Sequence, residues 1–67
     1  MIVYYGDSGE PDTSFFETSD MAETPKDALV EFAKEFNITY TGTDDNITEG
    51  ELRKLIEHDC FIIGEII

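Results

Sequence analysis

The chain has 67 residues and carries sixteen Asp and Glu against four Lys and Arg, so even complete pairing would leave twelve carboxylates without a cationic partner. That excess must be solvated or used: it favours attraction to basic partners and disfavours nucleic-acid phosphates and anionic membranes. The length allows one small domain, residues 1–67, and no apolar run approaches membrane-spanning length.

Residues 1–5, Met-Ile-Val-Tyr-Tyr, are apolar and partly β-branched or aromatic, and they read as a first strand ending at Gly6. Residues 7–12 are dense in turn formers. A second strand over 13–18, centred on Phe15 and Phe16, would pair back on the first as a hairpin with a long acidic loop. Thr24 then supplies an N-cap hydroxyl, Pro25 the first helical position and Asp27 a carboxylate three residues after the cap, which predicts a helix over 25–36. Ala28, Leu29, Phe32, Ala33 and Phe36 form its apolar stripe, and Asn37 is a suitable left-handed terminator.

Residues 38–41 alternate apolar and polar side chains before Gly42, as a half-buried edge strand does. Thr48 and Glu51 repeat the capping-box pattern, with Ile47 and Leu52 placed as a hydrophobic staple, so a second helix is expected over 49–58. Leu52, Leu55 and Ile56 make its buried stripe, and Glu49 and Arg53 can pair on its solvent side. Residues 60–67 are apolar on both faces, which predicts a central strand or one covered by a partner. The expected fold is an α+β two-layer sandwich of order ββαβαβ, with a mainly antiparallel sheet and both helices on one face. Two helices cover only one face of such a sheet, so a homodimer, a protein partner or the long acidic loop should cover the other.

Cys60 is the single cysteine and cannot form an internal disulfide, and the first residues lack the basic and long apolar regions of a signal peptide. A cytoplasmic protein is expected. His58-Asp59-Cys60 contains the residue types of a cysteine hydrolase, but neighbours in a segment entering a strand point in different directions. Cys60 reads instead as a small buried hydrophobe and His58 as a helix-terminal residue, and no enzyme is expected. The oxygen-rich stretches 7–12 and 44–46 do not match a calcium loop, and no metal or cofactor is expected.

Asp27, Glu31 and Glu35 recur at four-residue spacing, a line of carboxylates about 6 Å apart along one side of the first helix. Like charges at this spacing destabilise a helix slightly, so the row suggests phosphate-like charges offered to a basic groove. Asp7, Glu10 and Asp12 in the hairpin loop add to it. In size and acidity the chain is similar to viral proteins that imitate nucleic acid to block restriction, repair or CRISPR enzymes. The aromatic strand residues are not accompanied by Lys or Arg, which argues against direct nucleic-acid binding. The expected function is therefore an acidic protein-interaction module, in its sharpest form a nucleic-acid-mimicking inhibitor of a nucleic-acid-binding or defence enzyme. The alternative is a self-associating structural protein that uses the uncovered sheet face.

Overall fold

The computed structural model describes residues 1–7, 9–43 and 45–67. Its elements are β1 (Ile2–Asp7), β2 (Ser14–Glu17), α1 (Pro25–Glu35), α2 (Glu49–His58) and β3 (Phe61–Ile66). The sheet is antiparallel, in the order β2-β1-β3. The α+β architecture is the expected one. Period-two alternation in β1 and β2 divides each aromatic pair between the faces: Val3 lies opposite Phe16 on one side, and Tyr4 lies opposite Phe15 on the other.

The inner face meets the helices through an aromatic cluster. The Phe32 ring of α1 lies 4.9 Å from Tyr5, 5.8 Å from Phe16 and 5.5 Å from Phe61, all edge-on, and 4.6 Å from Phe36. Val3, Leu29, Phe32, Leu52 and Ile56 are fully buried around it. Aromatic pairs in such geometry add about 0.5–1.5 kcal/mol each beyond the area they bury, which suits a domain too small for a thick core. Both helices begin at full capping boxes, Thr24 with Asp27 and Thr48 with Glu51. Ile47 and Leu52 are both buried, as a staple requires, and Arg53 Nε stands 3.6 Å from Glu49. Among the described residues, no helix is long and apolar enough to cross a membrane.

Three local expectations are corrected. Residues 38–41 form no strand and belong to the connection between the helices. Asn37 takes the left-handed conformation (φ 56°), its N–H donates to the Lys34 carbonyl, and the Ile38 N–H donates to Ala33. This is a Schellman ending, and Ile38 is used as its buried apolar residue, which leaves the segment no path to the sheet. Of the two expectations for the last strand, the central one is overturned: β3 is an edge, because β1 pairs with β2 on one side and with β3 on the other. Finally, Cys60 is exposed and precedes β3. It adopts φ 72° after the Asp59 cap, with its N–H on the Glu57 carbonyl, so it terminates α2 instead of packing in the core.

Candidate partner-binding surface

The carboxylate row of α1 is largely committed to holding the chain. Glu31 accepts hydrogen bonds from the Ser19 backbone N–H (2.8 Å) and from the Ser19 hydroxyl (2.7 Å). Those donors, the backbone one first, hold its carboxyl below the usual glutamate range. Asp27 accepts from the backbone N–H groups of Glu23 (3.2 Å) and Thr24 (3.3 Å). Together the two side chains fasten the β2–α1 connection onto the helix. Glu35, one turn further, is exposed. Beside this row run Lys26, Val30 and Lys34, which with Asp27, Glu31, Met21 and Asp45 line one cleft. The α1 surface is thus mixed in sign.

The loop acids lie elsewhere. Tyr5 points to the helices, so Gly6 points to the outer face of the sheet, and there a Cβ would collide with the Glu10 carbonyl oxygen. A Cβ on Gly64 would stand 2.6 Å from the Pro11 carbonyl oxygen and 3.2 Å from its Cβ. The loop carrying Glu10 and Asp12 therefore crosses the outer face over two glycines, which permit the close approach. Asp7 ends β1 opposite Phe61 and is exposed. The two groups of acids expected to act together, Asp27, Glu31 and Glu35 against Glu10 and Asp12, are separated by the thickness of the sheet.

The loop covers only part of that face. Tyr4 and Phe15 pair across β1 and β2 with ring centroids 6.5 Å apart, and Phe15 remains 64% exposed. Ile2 lies opposite Glu17 in the same register, and Ile67, 56% exposed, exchanges backbone hydrogen bonds with Ile2. In β3 the register slips between the Val3 and Tyr5 pairings, which places Gly64 and Glu65 together across from Tyr4. Tyr4, Pro11, Asp12, Gly64 and Glu65 line a cleft of about 350 Å³.

The cations stand on the other side. Lys26 and Lys34 belong to α1 and Arg53 and Lys54 to α2, and these four are all the Lys and Arg of the chain. The outer sheet face consequently combines aromatic and aliphatic side chains with carboxylates and has no Lys or Arg of its own. Sequence reading placed the charge on the helix row and on the hairpin loop, whose Asp12 lines this cleft, and did not assign Tyr4, Glu17, Gly64 or Glu65 to the binding surface. Strand alternation would have found the first two, but the bulge that turns Glu65 beside Gly64 has no sequence signature.

Among the described residues, no group of three or more His, Cys, Asp and Glu side chains is arranged to hold a metal ion. Ser8 and Asp44, members of the two oxygen-rich loops, lie outside the described residues. No protein family, curated protein or solved structure matches the chain.

Proposed function

We propose that the protein is an acidic interaction module that engages a basic protein surface in a reducing, intracellular setting, using the outer sheet face and the loop across it. The observation that carries this reading is the segregation of charge: every Lys and Arg is helical, while the opposite face carries carboxylates around exposed apolar side chains. Carboxylates on such a face steer a basic partner into contact, and the aromatic and aliphatic groups lengthen its stay. When the partner's surface is a nucleic-acid groove, the module is an inhibitor that competes with nucleic acid. The α1 row then contributes through the field of its charges, since Asp27 and Glu31 hold the backbone with their oxygens.

Self-association through the same face is the competing reading, favoured by the exposure of Phe15 and Ile67. Its electrostatics are adverse. A two-fold pairing of that face would bring the carboxylates of Asp12, Glu17 and Glu65 together with those of the second copy, and like charges brought together across an interface cost several kcal/mol.

A pull-down with the tagged protein, washed at low and then moderate salt, tests the choice. The module reading predicts a basic protein held at low salt and released at moderate salt, and displaced by nucleic acid where its groove binds nucleic acid. Recovery of the protein alone at both salts would replace this reading with self-association.

A further inference from the structure

We propose that the cleft lined by Tyr4, Pro11, Asp12, Gly64 and Glu65 is a seat for one arginine side chain of the basic partner. The proposal rests on the interaction-module reading and locates its anchor. The cleft presents an aromatic ring and a proline on its walls, two carboxylates, and a glycine that lets the Pro11 backbone close against the sheet. A Cβ at Gly64 would stand 2.6 Å from the Pro11 carbonyl oxygen, so a side chain there would push the loop off the sheet and displace the wall formed by Pro11 and Asp12.

This set of groups suits a guanidinium. A planar cation stacks on an aromatic face, and its fork of N–H donors reaches more than one acceptor at once. Arginine is also more weakly hydrated than lysine, so placing it against Tyr4 and Pro11 costs less desolvation. A hard divalent cation fits poorly, since it needs six or more oxygen ligands and the cleft offers two carboxylates beside apolar walls. A phosphate or a nucleic acid is repelled by both carboxylates. The chain's own cations stand on the helices of the opposite face and do not compete for the seat. Its volume, about 350 Å³, lies at the small end of the range for ligand pockets, roughly 300–1,000 Å³.

The test is an amide NMR titration of the full chain with a short arginine–serine repeat peptide and with its lysine–serine counterpart. Expected are the largest shift changes at Tyr4, Asp12, Gly64 and Glu65, and affinity at least about twofold higher for the arginine peptide, the low end of an exposed cation–aromatic contact. Tyr4→Leu should abolish that preference. Asp12→Asn combined with Glu65→Gln should weaken both peptides about fivefold to tenfold, as removal of two exposed charge contacts does. Both residues are exposed, so this double variant keeps the test open should Tyr4→Leu fail to fold. Equal affinity for the two peptides, or shifts spread over the acids of α1 and α2, would overturn the arginine seat and leave the acidic module standing. No saturable binding of either peptide at low salt would overturn both.

Discussion

Replacing Gly6 with alanine probes whether the acidic loop is seated on the sheet. Gly6 lies in β1 with its hydrogen turned toward the outer face, where an added methyl would collide with the Glu10 carbonyl oxygen and come within 2.7 Å of Thr13 Oγ1. The nearest atom is backbone, so the loop must move as a unit. Overpacking of this kind costs typically about 1–3 kcal/mol. Against it stands the loss of glycine's freedom in the unfolded chain, which stabilises by about 0.4–1 kcal/mol. The net expectation is destabilisation by about 1–2 kcal/mol, and at about 4–8 °C per kcal/mol for a domain of this size the melting midpoint falls by roughly 5–15 °C.

Thermal unfolding followed by circular dichroism, at fixed salt, reads this directly. Gly50→Ala in α2 is the companion measurement, because a methyl there meets nothing within 4 Å and should stabilise by about 0.5–1 kcal/mol. The two substitutions are thus expected to have opposite signs. If Gly6→Ala also raised the midpoint, the loop would not lie on Gly6, and neither the cleft beside Tyr4 nor the segregation of Asp12 from the helix acids would hold.

Cys60→Gly should stabilise by about 1 kcal/mol, since φ 72° is a conformation that L residues other than glycine enter at a cost; an unchanged urea midpoint would count against the left-handed ending of α2. Glu31 gives a pH signature. Its carboxyl is held below the ordinary value of 4.5 by the Ser19 donors, so the folded state favours the ionised form. That contribution is complete above the unfolded-state value and is lost as pH falls through the lowered folded-state value. The stability gap between the parent and Glu31→Gln should therefore be constant near neutrality and shrink in acid, whereas a pH-independent gap would remove the charge from the Ser19 contact. Self-repulsion at net charge −12 predicts a melting temperature that rises from low to moderate salt, and a flat or falling midpoint would mean that the carboxylates do not strain the fold.

Elements fixed by local chemistry were legible in the sequence. The capping boxes at Thr24 and Thr48 and the staple at Ile47 and Leu52 name residues that the structure caps or buries, and the apolar stripes name buried residues except Phe36 and Leu55, which are half-buried against the core. Alternation in residues 38–41 misled because the same pattern serves a helix ending: once Asn37 turns left-handed, Ile38 satisfies the Schellman bond and is buried there. The place of the last strand depended on strand pairing, a long-range choice that apolar character on both faces of the run 60–67 does not decide.

The candidate surface was less legible than the fold. Spacing put Asp27, Glu31 and Glu35 in a row, but it could not show that Ser19 and the backbone at Glu23 and Thr24 would use two of them. The cleft at Tyr4 needs a loop folded over two glycines and a register slip in β3, which are both tertiary events.

The most direct test compares two triple variants that remove equal charge from opposite sides of the molecule. One carries Asp12→Asn, Glu17→Gln and Glu65→Gln on the outer face, and the other Glu35→Gln, Asp45→Asn and Glu57→Gln on the helix side, all six residues being exposed. Affinity for the arginine–serine peptide at physiological salt should fall by between about threefold and a hundredfold in the first, at roughly 0.2–1 kcal/mol per exposed contact, and by less than about threefold in the second. Equal losses would mean that only total charge matters, and a larger loss in the second would move the interaction to the helices and contradict the outer face as the binding surface.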